Sequence, residues 1–429
     1  MTTATTSVAP RPKAFGALSV HGYRTYLLTF MLTMMADNIE HVISYWVIFQ
    51  KFHSPALGGF AVVSHWLPYL LFSVGVGALN DRFDSRRIIQ AGAALFIVAS
   101  AGWGYLFYSG TLQMWHAMVL LIIHGCAGVL WMTSSQVLLY DVVGPEGLPS
   151  AVRLAATGRY LAVLVGPGVG SVIMLTLGTT HGIFLNTLFY LPLVLWLVGA
   201  PYGRHFRGDR PPPKRAVRGL ADIIQTAREV RGIPVLGAMI VLAGGASFWV
   251  GNSYQAQMPN FAHDLGHGDP GTAYSMLLGA DATGALLAGI LLESRGGIFA
   301  MRPLTAILLA IGWASALCGF ALMRSYSLAL PLLFLAGFLE LSFNSTTQTL
   351  VQMNAPDANR GRVLGLYNMA AAGLRTFSGI TVGLAGSLVT VHLSLACAAA
   401  AFVVTGAILL RVLRHQPMTG ELVLPPAPH

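Results

Sequence analysis

The sequence predicts an all-α integral membrane protein: twelve transmembrane helices in two pseudo-symmetric six-helix bundles. Three observations carry the prediction. Hydrophobic residues make up 55% of the 429 and charged ones 10%, whereas a water-facing surface normally needs about a quarter of its residues charged. Twelve stretches approach or exceed the roughly 20 apolar residues that cross a hydrocarbon core about 30 Å thick. The chain also repeats against itself at an offset of 212 residues: Thr133-Ser134-Ser135-Gln136 returns as Ser345-Thr346-Thr347-Gln348, and Gly77 with Asp81 returns as Gly289 with Glu293. Pro145-Glu146 returns, one residue out of step, as Pro356-Asp357. In duplicated membrane bundles the substrate site forms between the repeats, and access alternates as one repeat rocks on the other.

Residues 1–24 form an N-terminal segment expected in the cytoplasm, and 1–20 are polar and rich in Thr, Ala and Pro. They lack the apolar core and small-residue site of a cleavable signal, so the first span is expected to serve as its own insertion signal. The first bundle, 25–201, holds spans at 25–50, 56–79, 88–108, 113–140, 153–177 and 182–201. A central loop, 202–232, carries Pro211-Pro212-Pro213 and ends in a basic stretch, Arg218 to Arg231, suited to a short amphipathic helix at an anionic membrane surface. The second bundle, 233–412, holds spans at 233–258, 273–292, 303–323, 328–353, 363–389 and 391–412, and 413–429 is a tail. Glycine and proline inside these spans are tolerated because neighbouring helices satisfy the freed backbone groups. Glycine also permits the close helix contacts on which membrane packing relies.

Charge placement sets the orientation. Of the 25 lysines and arginines, only Lys51 and Arg324 fall on one set of loops, and Arg159 and Arg375 lie inside spans. The remaining 21 lie on the opposite set, which the positive-inside rule places in the cytoplasm. Both termini are therefore expected to be cytoplasmic. The net charge of +9 follows from this topology, and nucleic-acid binding is excluded because the charge is spread over membrane loops. Cys126, Cys318 and Cys397 lack metal-ligand spacing and an even count, so no metal site is assigned. No phosphate-cradling G-x-x-x-x-G-K-[ST] run is present. Neither a cofactor nor an enzymatic activity is expected.

Between spans 2 and 3 the chain reads Gly77-Ala78-Leu79-Asn80-Asp81-Arg82-Phe83-Asp84-Ser85-Arg86-Arg87. This loop, with the twelve spans and the repeat, resembles the major facilitator superfamily, whose signature there is a glycine, an acid four residues on and a basic cluster. Asp84 stands where that signature usually has glycine. The resemblance implies that Asp81, with Arg82, Arg86 and Arg87 around it, latches the cytoplasmic side against the start of span 11 near Val363. A carboxylate beside a helix start is favoured independently by free amide donors and the helix dipole. Span 5 contains Gly158 and then Gly166-Pro167-Gly168-Val169-Gly170, which resembles the glycine-proline motif of exporting antiporters. Physically it is a flat face for packing against the other half. With Arg360-Gly361-Arg362-Val363 and Tyr367 it is similar to the branch that holds the enterobactin and macrolide exporters, and so implies outward transport.

The charges left inside the spans are Asp37, Glu40, Asp281, Glu340, Arg159 and Arg375. Such groups cost about 2.5–3.5 kcal/mol each on insertion scales and face a cavity or a partner. Asp37 and Glu40 share a helix face, with His41 on the adjoining flank. Two carboxylates so close repel when both are ionised, which suits proton coupling; Asp281 and Glu340 are candidates for the same work. Arg159 and Arg375 either bind an anionic substrate through bidentate contacts or neutralise those acids. Thr133, Gln136, Asn344 and Gln348 are candidates for a polar cavity, and Trp131 for its apolar wall. His65 and His124 read as satisfied helix-facing groups.

The function expected is a proton-coupled exporter, an antiporter of a small organic compound such as a siderophore or drug, acting as a monomer among membrane lipids. Import or uniport of a small organic anion, and a transport-dead sensor of the same fold, are the alternatives.

Overall fold

The structure is a computed structural model that describes residues 14–52, 55–203, 206, 219–265, 270–294 and 298–414. Most of the central loop, including the Pro211-Pro212-Pro213 run, lies outside the described residues, as do Arg11, Lys13 and Arg295. All regular structure among the described residues is helical.

Span 1 is a helix over Tyr23–Phe52 and span 2 one over Pro55–Arg82. Asp84 caps span 3, Ser85–Ser109, by accepting the Arg86 N–H at 3.0 Å, and Gly110 ends that span at φ 69°. The acid that breaks the loop signature therefore starts the next helix, taking over one of the amide donors that a helix N-terminus leaves free. Helical hydrogen bonding then runs over Met114–Gly199 but is broken at Gly144 (φ 68°, ψ 178°) and Gly178 (φ 74°, ψ 171°). These positions favour glycine because an added Cβ disfavours positive φ. They divide the stretch into span 4 (114–143), span 5 (145–177) and span 6 (179–199). Span 5 begins eight residues earlier than the sequence suggests, because Pro145 takes the first helical position, which proline tolerates.

In the second half, Leu220–Arg231 is a surface helix, followed by span 7 at Pro234–Trp249, span 8 at Pro270–Ser294, span 9 at Pro303–Leu322, span 10 at Tyr326–Asn354 and span 12 at Val391–Arg414. Two spans differ from the continuous helices expected. Span 7 stops at Trp249, turns through Gly251 at φ 53°, and resumes as Ser253–Ala256 and Met258–Asp264. A methyl on Gly251 would strike the Ser378 side chain, so the break is shaped by span 11. Span 11 begins as Arg360–Asn368, passes through π-helical Met369–Gly373, resumes at Arg375–Ser378, and is π-helical again over Gly379–Leu384 before Ala385–Leu388. Such π segments shift the faces of a helix and are frequent at functional sites.

Each half has its own aromatic core. Phe96 stacks on Tyr190 at 5.1 Å in the first half, and Trp313 stacks on Phe343 at 5.6 Å in the second. The outside is apolar: Leu175 and Leu388 are about four-fifths exposed, as lipid-facing residues should be. The glycines of span 5 correct one expectation. Gly158 lies against Met31 and Leu27, Gly166 against Asn38, and Gly170 against Ile39. All of these partners belong to span 1, so the motif packs its own half together, and Gly168 beside Pro167 meets nothing within 4 Å.

The halves instead meet along spans 2 and 11. A Cβ on Gly77 would collide with the Gly361 carbonyl, one on Gly365 with that of Ser73, and one on Gly373 with the Leu70 backbone. Span 8 meets span 5 in the same manner, Gly289 against Thr157. Gly361→Ala would force this seam apart, and overpacking of this kind costs about 1–3 kcal/mol. We expect about a tenfold loss of transport rate with little loss of thermal stability. Normal transport by the alanine variant in proteoliposomes would refute the seam's role in closure.

Candidate transport site

Two acid clusters lie in the spans, one in each half. In the first, His124 of span 4 stands between the two acids of span 1. Its Nε2 is 2.8 Å from Asp37 Oδ1 and its Nδ1 is 2.8 Å from Glu40 Oε1. A neutral imidazole has one N–H, so making both bonds takes one further proton on the trio. The acids therefore do not face each other as a bare pair; an imidazole separates them. Ser100 donates to the other oxygen of Glu40, and Asn186 fixes span 6 to span 1 through the Ala36 carbonyl at 3.0 Å. His41 and His65 complete the group, their rings 5.0 Å apart and 4.7 and 5.8 Å from that of His124. Reading His65 and His124 as satisfied helix-facing groups misses this. The available signal is that spans 1, 2 and 4 each place an imidazole or acid at a similar depth.

The second cluster joins three spans. The Tyr254 hydroxyl, brought in by the broken end of span 7, lies 3.2 Å from both Asp281 Oδ2 and Glu340 Oε2. Gln255 Nε2 donates to the Tyr254 oxygen at 3.2 Å and to Asp281 Oδ2 at 3.1 Å. A tyrosine has a single proton to donate, so bonding both carboxyls takes a second proton on one of them. Glu340 also lies within electrostatic reach of Tyr160 and Arg159 of span 5 and of Arg375. The Arg375 guanidinium sits 5.0 Å from the Trp66 ring centroid and that of Arg159 5.6 Å from the ring of Tyr160. Glu340 is thus held by groups from both halves.

Beside this cluster a cavity separates the halves, lined by Gln136 and Arg159 from the first and by Asn344 and Gln348 from the second, with Ser135 and Ser345. The repeated polar motifs of spans 4 and 10 therefore face each other across it. Thr133 and Trp131 do not line it. Trp131 is 2% exposed, stacked on Phe30 at 5.0 Å in the first core, where a large ring in the middle of a packed helix face belongs. Thr133 accepts from Asn368 of span 11 at 3.3 Å, joining the halves. Arg375 lies outside this cavity, at the acid cluster.

At the face where the described chain begins and ends, hydrogen-bonded ion pairs join the halves. Asp81 accepts from the Gly361 and Arg362 amides at 2.7 and 3.2 Å and from Arg362 Nη1 at 2.9 Å. The arginine at this contact comes from span 11; those of its own loop are engaged elsewhere. Arg86 pairs with Asp84 at 2.7 Å, Arg87 bonds Gln90 at 2.9 Å, and Arg82 lies over Phe83. Across the molecule, Glu293, the repeat counterpart of Asp81, accepts from Arg153 Nε at 2.8 Å and from Ser150. Sequence reading leaves Arg153 among the topology charges. Its position at the start of span 5, opposite the echo of the loop motif, is the available signal.

A twelve-helix bundle built as two halves, with a polar cavity between them and bonded contacts closing one face, is a secondary transporter of the major facilitator fold. The chain belongs to the transmembrane secretion effector family of that superfamily, which matches residues 13–422. It is similar to the Enterobactin exporter EntS of Shigella boydii serotype 18, at 23% identity over 345 residues, covering 79% of this chain and 78% of the relative. Among solved structures, the Escherichia coli fucose:proton symporter FucP superposes with a TM-score of 0.69 at 13% identity, over 90% of this chain and 98% of that one. A bacterial homologue of the iron transporter ferroportin, in an outward-facing state, does so with 0.69 at 16%, over 91% and 99%. These structures show the fold. The protein is a multi-pass membrane transporter and not an enzyme.

Proposed function

We propose that this protein is an antiporter of the inner (plasma) membrane that exports a small organic compound, siderophore-like or drug-like, in exchange for external protons. In this reading both termini are cytoplasmic, and Asp81 and Glu293 close the terminal face. One observation carries the proton-coupled reading: Glu340 shares Tyr254 with Asp281 and lies within electrostatic reach of Arg159 and Tyr160 of the other half. Gain or loss of a proton at this acid pair alters a contact between the halves, and a ligand shifts a conformational balance by binding its states unequally. Export is supported by the glycine-proline face of span 5 and by the relative named as an enterobactin exporter. The alternative, carriage of an organic anion on Arg159 and Arg375, is the weaker reading because Glu340 lies within reach of both and gives them a charge to balance.

A compound found by thermal stabilisation of the purified protein should leave right-side-out proteoliposomes faster when the outside is acidified. Asp281→Asn and Glu340→Gln should each cut that acceleration by about tenfold or more, a barrier change of at least about 1.4 kcal/mol, while exchange without a gradient persists. Uptake driven by external acid would reverse the direction. An undiminished gradient response in both variants and in the double variant would remove the acid pair from coupling.

A further inference from the structure

We infer that Asp37, His41, His65 and His124 form a binding site for a divalent transition-metal ion of the zinc class, with Glu40 as the outer carboxylate that orients His124. The inference goes beyond the transport reading and involves neither Asp281 nor Glu340. One ligand atom from each of the four side chains lies within 4.8 Å of every other. Metal–ligand bonds of about 2.0–2.1 Å in a tetrahedron place ligand atoms roughly 3.4 Å apart. The widest separation therefore needs to shrink by about 1.4 Å, which side-chain torsions in spans 1, 2 and 4 supply.

Hydrogen bonding alone does not account for the group. The trio of Asp37, His124 and Glu40 is bonded, but His41 Nδ1 is 3.7 Å from Asp37 Oδ2, beyond hydrogen-bond distance. His65 Nδ1 is buried and has no hydrogen-bond partner among the described residues. Two imidazoles are thus gathered at a membrane carboxylate without hydrogen bonds to it, an arrangement whose desolvation is costly unless a cation is shared. Three imidazoles and one carboxylate are the donor set of borderline metals such as zinc, while magnesium and calcium prefer oxygen.

The surroundings fit as well. A metal-bound histidine usually gives its second nitrogen to a carboxylate, which fixes the ring and raises its basicity. His124 does this with Glu40 at 2.8 Å, and Ser100 in turn holds Glu40. Charge closes too: a dication with ionised Asp37 and Glu40 and three neutral imidazoles sums to zero, the balance a low-dielectric site favours. His41 is one-fifth exposed, whereas Asp37 and His124 are under a tenth exposed, so an ion has a side from which to enter.

The test uses the full-length protein, purified without a histidine tag and stripped with chelator, titrated with Co2+ and with Zn2+ alone. We expect one equivalent per chain, the visible spectrum of tetrahedral cobalt, and thermal stabilisation by zinc. His65→Gln, which removes no hydrogen bond made by Nδ1, and His41→Ala should each weaken binding at least about tenfold, and Glu40→Gln about 10–100-fold. Thermal stability of each variant in metal-free buffer establishes folding. Absence of a stoichiometric equivalent, or equal affinity in wild type and both histidine variants, would overturn the site. Proton-coupled transport measured in chelator with Asp281→Asn and Glu340→Gln reads the other half, so either result stands without the other.

Discussion

Asp81→Asn is expected to unlock the cytoplasmic face and abolish net transport while leaving substrate binding in place. The carboxylate accepts three hydrogen bonds from the first turn of span 11, one of them from the Arg362 guanidinium. An asparagine oxygen keeps one or two of these and turns an amino group toward the rest. Bonds to a charged group are each worth about 1.5–3 kcal/mol, so losing one or two shifts a two-state balance by roughly 10- to 10⁴-fold. The measurement is maleimide labelling of Gln348→Cys, in the cavity between the halves, in a background lacking the native cysteines. Labelling from the cytoplasmic side should be slow when Asp81 is intact and fast in the Asp81→Asn variant. Equal labelling with normal transport would reduce Asp81 to a loop charge.

Arg153→Ala should have the largest effect on stability. Among the described residues it leaves Glu293, fully buried, with the Ser150 hydroxyl alone, and removing one partner of a buried ion pair costs about 3–5 kcal/mol. Replacing both, as Arg153→Met with Glu293→Gln, should restore most of the thermal stability because no charge is then stranded. The double variant should nonetheless label at Gln348→Cys like the Asp81→Asn variant, since the second closure is gone. A single variant as stable as wild type would show that the pair contributes nothing to the closed state.

These two contacts show what a sequence makes readable. Asp81 stands out locally: a glycine, an acid and a basic cluster after an apolar run. Its partner does not, because Arg362 is 281 residues away and looks like any basic loop residue. The same holds for Arg153, whose role rests on an acid 140 positions later. The count of spans is legible because each must satisfy its backbone within lipid, which forces a long apolar helix wherever the chain crosses. The break in span 7 and the π segments of span 11 are not, since they depend on tertiary neighbours: Gly251 lies against Ser378 and Gly373 against Leu70. In the acid clusters, Asp37, Glu40, Asp281 and Glu340 declare themselves as charges in lipid. Tyr254, Tyr160 and His124 do not, because tyrosine and histidine are ordinary inside a bundle until their partners are known.

The sequence places the surface helix Leu220–Arg231 on lipid, but one of its faces is docked on protein. Asp222 pairs with Arg362 at 3.1 Å, and Asn359 bonds Glu229. Arg362 therefore serves two masters, the first half through Asp81 and the linker through Asp222. The helix Leu220–Arg231 is thus bonded to the start of the second half's span 11 through Asp222 and Glu229. A displacement of that helix is therefore expected to reach the side chain that bonds Asp81. The covalent tether between the halves would then double as a lever on the Asp81 contact.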